Sequence, residues 1–203
     1  MNDALQAHRD DDATRSPLDT RGLRNTLGHF ATGVTVVSYL ADGEPRGLTI
    51  NSFVSVSMDP PLILVSIARG ARAAQKLVDA PFVVNVLGAE QLQLALQFAG
   101  QPQDGLDVPW SRDGVAPRLA GSAAWLACSP YSCVEAGDHL LLLGRVVDHR
   151  GYSDEPLLFH AGKFGLVARL RENRRTAVSR PALGHAAMGG GRDDATAAIA
   201  ARP

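Results

Sequence analysis

Apolar residues recur with a helical period near the start of the chain and with a strand-like period over most of the remainder. The first pattern predicts a short amphipathic helix, capped by Asp19 or Thr20 and ended by Gly33. Its apolar face consists of Leu23, Leu27 and Phe30. Two further helices are expected over residues 71–78 and 91–98.

Segments rich in β-branched and aromatic residues follow this helix and predict a sheet that begins antiparallel. A hairpin is expected at Asp42-Gly43, a dipeptide suited to a tight turn. The run 62–67 is continuously apolar, which indicates a strand buried on both faces. Residues 100–118, with Trp110 among them, are expected to form a loop. The predicted strands cover residues 34–40, 47–57, 62–67, 82–87, 125–128, 138–147 and 164–167.

Strands therefore outnumber helices, and the helices are short. We expect a mainly β fold with short helices, closed or split as a barrel, because a long sheet must protect its edges. The polar residues 1–17 and the Arg-, Ala- and Gly-rich residues 173–203 are expected to be disordered tails around a domain of residues 18–172.

The composition excludes several classes of protein. With 203 residues, 45% hydrophobic and 20% charged, the chain can bury a core and is neither disordered nor fibrous. A net charge of -1 without a basic block argues against nucleic acid as a partner. Neither a leader sequence nor a long apolar run is visible, so we expect a cytoplasmic protein that does not enter the membrane. Cys128 and Cys133 are expected to be half-buried free thiols, with no metal site.

Familiar catalytic motifs are missing from the sequence. It contains no GxGxxG after a strand, no GxxxxGK[ST], no HExxH and no GxSxG. These absences argue against a Rossmann dehydrogenase, a nucleoside triphosphatase, a zincin and a typical α/β-hydrolase.

Polar residues instead interrupt segments that otherwise suit burial. Thr32 lies where the first helix meets the first strand, and Gly137-Asp138-His139 opens the longest apolar strand. Small polar residues also line the predicted strand 47–57, with most of them on one face by alternation. These residues are Thr49, Asn51, Ser52, Ser55 and Ser57.

From about residue 23 to residue 170 the chain resembles the flavin reductase family, the reductase components of two-component flavin monooxygenases. The resemblance is carried by FATGVTVVS (30–38), GLTINSFVSVSMDPPLILVSI (47–67), FVVNVL (82–87), QLALQFAG (93–100), AWLAC (124–128), GDHLLLLGRV (137–146) and PLLFHAGKFGLV (156–167). It implies a split β-barrel of the FMN-binding type that forms a homodimer. It also implies hydride transfer from NADH or NADPH to FMN or FAD, with reduced flavin supplied to a partner monooxygenase.

The resemblance also implies a set of cofactor-binding residues. An isoalloxazine ring needs an apolar wall and a few polar groups at its edge, which a strand supplies by alternation. The implied flavin-binding residues are Thr32, Thr49, Asn51 and Ser52, with Ser66 as a further member of the set. The alternative is that these hydroxyls only cap backbone groups at a sheet edge.

The flavin phosphate requires positive charge or free backbone amides. Arg69 to Arg72 stands between a strand end and a helix start, and we expect Arg72 to bind the phosphate; the alternative is a merely exposed arginine. Members of the family often have Ser or Thr where this chain has Ala71 and Ala73. This departure leaves the choice between FMN and FAD open.

His139 is the expected catalytic residue. In the family the matching histidine lies beside the flavin and is associated with the nicotinamide, so His139 would seat NADH or NADPH for hydride transfer. A structural histidine is the alternative. Phe164 matches a position that commonly holds an aromatic residue near the flavin, and it is a candidate stacking wall.

Two other functions stay open at this point. Fold does not determine function, so the chain is alternatively a split-barrel flavin- or haem-binding auxiliary protein without reductase activity. A dimeric scaffold that binds an oxygenase without a cofactor is the third hypothesis. Bound yellow flavin would exclude the scaffold, and oxidation of NADH or NADPH would distinguish the reductase from the auxiliary protein.

Overall fold

The computed structural model describes residues 18–167. The expected tails, residues 1–17 and 173–203, lie outside the described residues, as do residues 168–172. The described chain contains the helices α1 (Thr20–Leu27), α2 (Arg72–Leu77) and α3 (Leu92–Phe98). Its strands are β1 (Thr32–Gly33), β2 (Thr35–Ala41), β3 (Glu44–Ile50), β4 (Phe53–Met58), β5 (Pro61–Ala68), β6 (Phe82–Val86), β7 (Trp110–Ser111), β8 (Arg118–Leu119), β9 (Ala124–Ala136), β10 (His139–Gly151), β11 (Leu158–His160) and β12 (Lys163–Gly165).

Seven strands form one antiparallel sheet in the order β3-β2-β6-β9-β10-β5-β4. The two edge strands, β3 and β4, are consecutive in the chain and are joined only by Asn51 and Ser52. Ile50 and Phe53 are therefore at most about 11 Å apart, because successive Cα atoms are separated by about 3.8 Å. The sheet must curl until its edges nearly meet, which confirms the predicted mainly β split barrel.

The inner face of this sheet encloses the main hydrophobic core. Fully buried side chains from five strands meet there, namely Val37, Ile67, Phe82, Cys128 and Leu142. Helix α2 packs into the same core through Ala74 and Leu77. Burial of each large apolar side chain contributes roughly 1.5–3 kcal/mol, so this interior is the main source of stability.

The outer face of the sheet is covered over one half and uncovered over the other. Helix α3 packs against Val36 of β2, which is fully buried. On β5 and β10, by contrast, the outward residues Leu64 and Leu141 are only half-buried. The prediction that residues 62–67 are buried on both faces is therefore wrong, because nothing in the described part of the chain covers this half.

Helix α1 begins as predicted and ends earlier. Asp19 caps it by accepting a hydrogen bond of 3.0 Å from a backbone N–H of the first turn. Gly28, not Gly33, ends the helix, because the chain must become extended before Thr32 pairs with Phe159. The apolar face of α1 contains no buried residue.

The segment predicted as one strand over residues 47–57 is two strands. β3 ends at Ile50 and pairs with β2, whereas β4 begins at Phe53 and pairs with β5. Asn51 and Ser52 carry the chain from one sheet edge to the other. The prediction that side chains alternate between two faces along the whole segment is therefore wrong. β3 and β4 are separate strands with different partners, so the alternation of each is independent of the other.

Other elements lie where they were predicted along the chain but differ in length. The hairpin at Asp42-Gly43 is confirmed, with φ angles of 54° and 80° at its two turn residues. The strands predicted at 125–128 and 138–147 are parts of β9 and β10, each 13 residues long. The predicted loop 100–118 contains β7 and the start of β8, and β11 was not predicted at all.

The two cysteines have different environments on β9. Cys128 is buried, and burial raises the pKa of its thiol to about 12. Cys133 is exposed, so the expectation of two half-buried thiols is wrong; the far end of β9 lies outside the core. Within residues 18–167 no cluster of His, Cys, Asp and Glu is placed to hold a metal ion. No helix in that range is long and apolar enough to cross a membrane.

Candidate functional site

Three adjoining cavities meet at the end of β3. The large cleft, about 980 Å³, lies between the β2–β3 hairpin, α2 and the end of α3. The apolar pocket, about 190 Å³, shares Thr49 with the large cleft. The helix pocket, about 490 Å³, lies against α1 and shares Asn51 with the apolar pocket. Thr49 and Asn51 therefore lie at the two junctions of one concave surface.

Aromatic and aliphatic side chains form the walls of the apolar pocket. They are Val34, Ile50, Phe159 and Phe164. Phe159 and Phe164 lie directly opposite each other on β11 and β12, with ring centroids 5.3 Å apart in an edge-to-face arrangement. This pairing holds Phe164 against the pocket that Thr49 and Asn51 also line, so three predicted site residues are brought together.

The junction residues offer both kinds of hydrogen-bonding group. The Thr49 hydroxyl donates to the backbone oxygen of Ala95 at 2.8 Å, which ties β3 to α3. A hydroxyl has one hydrogen, so toward a ligand Thr49 is an acceptor. Asn51 is exposed at the bend between β3 and β4, and its amide carries two donor hydrogens and an acceptor oxygen.

Thr32 carries an unsatisfied polar atom close to this pocket. Its Oγ1 is buried and has no hydrogen-bond partner among the described residues. Thr32 lies directly opposite Phe159 in the β1–β11 pair, and Phe159 lines both the apolar and the helix pockets. A buried hydroxyl without a partner is destabilising by about 1–3 kcal/mol. Thr32 itself lines none of the three cavities, so its link to them is its strand partner Phe159.

The hydroxyl of Ser52 joins the first residues of β4 to the end of β5. It donates to the backbone oxygen of Ser66 at 2.7 Å and accepts from the Ser66 N–H at 3.3 Å. Both contacts are part-buried. The Ser52 hydroxyl therefore binds backbone groups near the sheet edge. This is the alternative to flavin binding that was given above for these hydroxyls.

Positive charge gathers in the large cleft. Arg46, Arg72 and Lys76 line it, whereas Asp42 is the only carboxylate among its lining residues in the described chain. The Asp42 carboxylate lies 3.5 Å from the Lys76 ammonium group, and both side chains are mostly exposed, so the pair stabilises the fold little. The cleft thus brings Arg72 onto the same surface as Thr49.

His139 lies apart from the three cavities. Its Nδ1 is 2.7 Å from the Asp138 carboxylate, and this hydrogen bond lowers the pKa of Asp138. His139 is opposite Ala68 on β5, and Leu141 is opposite Ser66. Residues two apart on a strand share a face, so His139 and Ser66 both lie on the uncovered outer face of the sheet.

The structure therefore divides the predicted site residues into two groups. In the first group Thr49, Asn51, Arg72 and Phe164 line the cavities at the end of β3, and Thr32 lies next to them as the strand partner of Phe159. The second lies at the β4–β5–β10 side and contains Ser52, Ser66 and His139.

Reasoning from the sequence missed several cavity residues, among them Arg46, Lys76, Phe98 and Phe159. One signal for Phe98 was present in Gly47, since a glycine inside a strand often marks a close approach. A Cβ atom at Gly47 would lie 2.7 Å from the Phe98 ring, so that ring rests directly on β3. Phe159 belongs to the segment 156–167 that carried the family resemblance, but its pairing with Phe164 depends on β11, which was not predicted.

Comparison with known proteins gives matches over most of the described chain. The family model described as flavin reductase like domain matches residues 27–168. The NADH-dependent FAD reductase of Streptomyces globisporus is 39% identical over 170 residues, covering 79% of this chain and 93% of that protein. The reductase component of 4-nitrophenol 4-monooxygenase/4-nitrocatechol 2-monooxygenase of Rhodococcus opacus is 37% identical over 152 residues. The match covers 73% of this chain and 82% of that protein. A probable flavin reductase of Rhizobium meliloti is 44% identical over 138 residues, which cover 66% of this chain and only 44% of that longer protein.

Solved structures are similar over the same region. The flavin reductase PheA2 in its native state matches with a TM-score of 0.72 and 38% identity, covering 75% of this chain and 100% of that one. The NADH:FAD oxidoreductase SgcE6 of Streptomyces globisporus, in complex with NAD and FAD fragments, matches with a TM-score of 0.69 and 38% identity, covering 78% and 97%.

Proposed function

The chain belongs to the flavin reductase like family, and from this premise we propose that it is an NAD(P)H:flavin oxidoreductase. It reduces FMN or FAD by hydride transfer from NADH or NADPH and supplies reduced flavin to a partner monooxygenase. Relatives named as an NADH-dependent FAD reductase and as a monooxygenase reductase component support this assignment. The observation in this chain that carries it is an aromatic-walled pocket that opens into a positively charged cleft.

The residues at the end of β3 fit a flavin. An isoalloxazine ring has flat apolar faces and a polar edge, which match the Phe159–Phe164 wall and the Thr49–Asn51 rim. The orphaned Thr32 hydroxyl supplies one more polar group beside that wall. Arg72, in the adjoining cleft, is the proposed partner of the flavin phosphate.

The protein contributes mainly position and environment to the reaction. The bound flavin supplies the atom that accepts the hydride. Phe159 and Phe164 provide an apolar wall that excludes water, while Thr49 and Asn51 fix the orientation of the ring edge. No described residue of the pocket is required to act as an acid or a base, which agrees with the lack of a catalytic motif in the sequence.

Within one chain His139 lies apart from the flavin pocket, so we propose that the protein is a homodimer in which His139 of one copy and the flavin pocket of the other hold the nicotinamide against the flavin. His139 shares the outer sheet face with Ser66, and that face carries exposed Val54 and Val134. A twofold symmetric contact would cover this apolar surface on both copies at once. It would also enclose His139, whose side chain is 41% exposed in the single chain.

We further propose that the protein acts in the cytoplasm. The exposed free thiol of Cys133 suits a reducing compartment, where disulfides are rare. Reduced pyridine nucleotides, the proposed hydride donors, belong to the same compartment.

The test of the reductase function is steady-state oxidation of NADH and NADPH by the purified protein, with FMN, FAD or riboflavin added in turn. We expect flavin-dependent turnover that falls about 10-fold or more in Asn51→Ala and in His139→Ala. His149→Ala, on the same strand as His139 and far along it, is the matched control and should keep full activity. If the protein binds flavin but oxidises neither NADH nor NADPH with any of the three flavins, the reductase function is refuted and the auxiliary binding protein is favoured.

The test of the homodimer is the molar mass in solution by size-exclusion chromatography with light scattering. We expect twice the chain mass for the wild-type protein and a shift toward the monomer for Val134→Glu, which puts a charge into the proposed interface. Val115→Glu changes an equally exposed valine away from this face and should leave the dimer intact. A monomeric wild-type protein would refute the dimer.

A further inference from the structure

The connection between β3 and β4 is anchored at both ends and free in the middle. The Ile50 backbone oxygen accepts from the Thr35 hydroxyl at 3.1 Å, and the Ser52 hydroxyl contacts both backbone groups of Ser66. Asn51 lies between these anchors, exposed and in a bend outside any strand. Within residues 18–167 its amide forms no hydrogen bond, and the turn and loop hydrogen bonds of that range do not include the Ser52 N–H. Neither the amide nor the N–H that follows it is therefore held by another group.

An asparagine amide in this situation reacts with the backbone nitrogen of the next residue, which makes asparagine a thermolabile residue type. The nitrogen attacks the side-chain carbon Cγ, a new C–N bond forms, and the bond from Cγ to Nδ2 breaks. Ammonia leaves with the proton of the attacking N–H, and a cyclic succinimide remains. Water then opens the ring at either carbonyl and gives aspartate or isoaspartate. No oxidant or reductant is consumed.

The residue after Asn51 favours this attack. Ser52 has a small side chain without a branch at Cβ, so its backbone nitrogen stays accessible. No other asparagine in the chain is followed by serine, and none is followed by glycine. The bend contributes as well, because the backbone N–H groups inside helices and sheets are already engaged in hydrogen bonds.

The two other asparagines within residues 18–167 are protected by their surroundings. Asn25 lies within α1, where the N–H of Thr26 belongs to the helical hydrogen bonds. Asn85 is fully buried, and its amide donates to the Val36 oxygen and to Ser38 Oγ. Water, which must open the ring, does not reach a side chain buried in this way.

We infer that Asn51 is a site of spontaneous deamidation, with the Ser52 nitrogen as the nucleophile, and that this reaction inactivates the flavin site. The chemistry depends only on the bend, whereas the loss of flavin rests on the proposed function. Asn51 lines both the apolar pocket and the helix pocket. Either product replaces the two donor hydrogens of the amide with a negative charge at the edge of the proposed flavin position.

The isoaspartate product also changes the main chain. Its peptide bond runs through the side-chain carbon, which adds one methylene to the backbone between Ile50 and Phe53. These two residues belong to opposite edges of the sheet, and only two residues join them. The added atom must therefore strain the Ser52 anchor or shift residue 51 away from the pocket rim.

Peptide mapping by mass spectrometry of the full-length protein, aged at mildly alkaline pH, tests the modification. We expect a mass gain of about 1 Da in the peptide that contains Asn51. It should appear at least about 10-fold faster than at Asn25 or Asn85. A methyltransferase specific for isoaspartate should label the aged protein and not the fresh one. Conversion at Asn51 no faster than at Asn25 would overturn the inference.

The role of the Ser52 nitrogen is tested with Ser52→Thr. Threonine keeps the hydroxyl for the contacts with Ser66 and adds a methyl group beside the attacking nitrogen, so conversion at Asn51 should slow about 10-fold. Ser55→Thr makes the same substitution at an exposed position of β4 and should leave the rate within about twofold of the wild type. Equal rates for wild type and Ser52→Thr would contradict attack by this nitrogen.

The consequence for the site is measured as flavin affinity by calorimetry, with each aged protein compared with its own fresh preparation. We expect the affinity of the wild type to fall in step with the converted fraction, by about 10-fold at full conversion. Fresh Asn51→Asp should show a similar loss relative to the fresh wild type. An equal loss in aged Ser52→Thr, which converts slowly, would show that ageing acts elsewhere and would overturn the proposed inactivation.

Protection by flavin separates this inference from the proposed function. Because the proposed flavin position covers Asn51, saturating FMN or FAD should slow its conversion severalfold. Conversion that neither flavin slows would refute the proposed flavin position and leave the modification site standing. A protein that oxidises NADH with flavin and never converts at Asn51 would refute only the modification.

Discussion

Two polar regions of this protein lie on either side of β2 and satisfy their hydrogen bonds differently. On the neighbouring strand β6, the buried Asn85 amide donates to the Val36 oxygen at 2.9 Å and to Ser38 Oγ at 2.8 Å. The same amide accepts from the Leu119 N–H at 2.8 Å. At the candidate site, Thr32 Oγ1 is buried without a partner in the described chain.

The difference separates polar groups that support the fold from those that serve a ligand. Asn85 uses its oxygen and both amide hydrogens within the protein, and it ties the segment before β9 to the sheet. Such a network stabilises only when every member is satisfied. At the end of β3, by contrast, an unsatisfied hydroxyl lies opposite the pocket-lining Phe159, and Arg46 and Arg72 have no carboxylate partner within residues 18–167. This is the arrangement expected of a site that binds its partner from solution.

Removing the satisfied network should have the largest effect. Asn85→Leu deletes the donors to Val36 and Ser38 and leaves the buried Leu119 N–H without an acceptor. We expect the free energy of unfolding to fall by about 4 kcal/mol, measured by urea denaturation at fixed protein concentration. Asn25→Leu, on the exposed helix α1, is the control and should change it little. A loss below about 1 kcal/mol would show that the network does not stabilise the fold.

Overpacking the core on the opposite face of the sheet should have the next largest effect. A Cβ atom at Gly144 would lie 2.6 Å from Phe82 and 3.0 Å from Cys128, so Gly144→Ala should lower the free energy of unfolding by about 2 kcal/mol. Gly151, on the same strand, has nothing within 4 Å of such an atom. Gly151→Ala is therefore the matched control in thermal denaturation, and equal melting temperatures for the two variants would contradict the packing argument.

The unsatisfied hydroxyl should behave in the opposite way to Asn85. Thr32→Val keeps the shape of the side chain and removes the buried Oγ1, so the free protein should be as stable or up to about 1 kcal/mol more stable. Flavin affinity, measured by calorimetry, should fall severalfold because a polar contact is lost. A variant that is destabilised and binds flavin normally would assign Thr32 to the fold rather than to the site.

The smallest expected effect concerns an exposed polar cluster on the β7–β8 hairpin. Hydrogen bonds from Ser111 and Arg118 hold the pKa of Asp113 at about 2, below its usual 3.8. Because the folded pKa is the lower one, this stabilisation is present above about pH 4 and is lost as the pH falls toward 2. In acid denaturation, Asp113→Asn should reduce the loss of stability between about pH 4 and pH 2. An unchanged pH profile would show that the Asp113 carboxylate does not cause this loss.

Local features of the fold were predictable because their causes are local. The Asp19 cap, the Asp42-Gly43 turn and the apolar run of β5 each depend on a few neighbouring residues. The two helices near residues 71–78 and 91–98 were located to within one residue at each end. Boundaries that depend on a distant partner were not predictable, as β11 illustrates: its three residues form a strand only because they pair with β1 and β12.

The candidate site shows the same division. The polar residues Thr32, Thr49 and Asn51 and the aromatic Phe164 were visible as departures from buried patterns and as parts of the family resemblance. Arg46 carried no such signal. Phe98 lay in a segment of the family resemblance, but its place in the large cleft depends on α3 lying against β3 at Gly47. A contact between segments distant in the chain leaves no periodicity in either of them.

The amino-acid sequence by itself identified the family, the mainly β architecture and most of the polar residues at the end of β3. These follow from short-range patterns and from the order of the matching segments along the chain. Only the tertiary structure decided that the segment around Asn51 divides between opposite sheet edges, that His139 lies on the uncovered outer face, and that three cations share one cleft. The physical reason is that strand alternation specifies which residues share a face, whereas the pairing of distant strands specifies what each face meets.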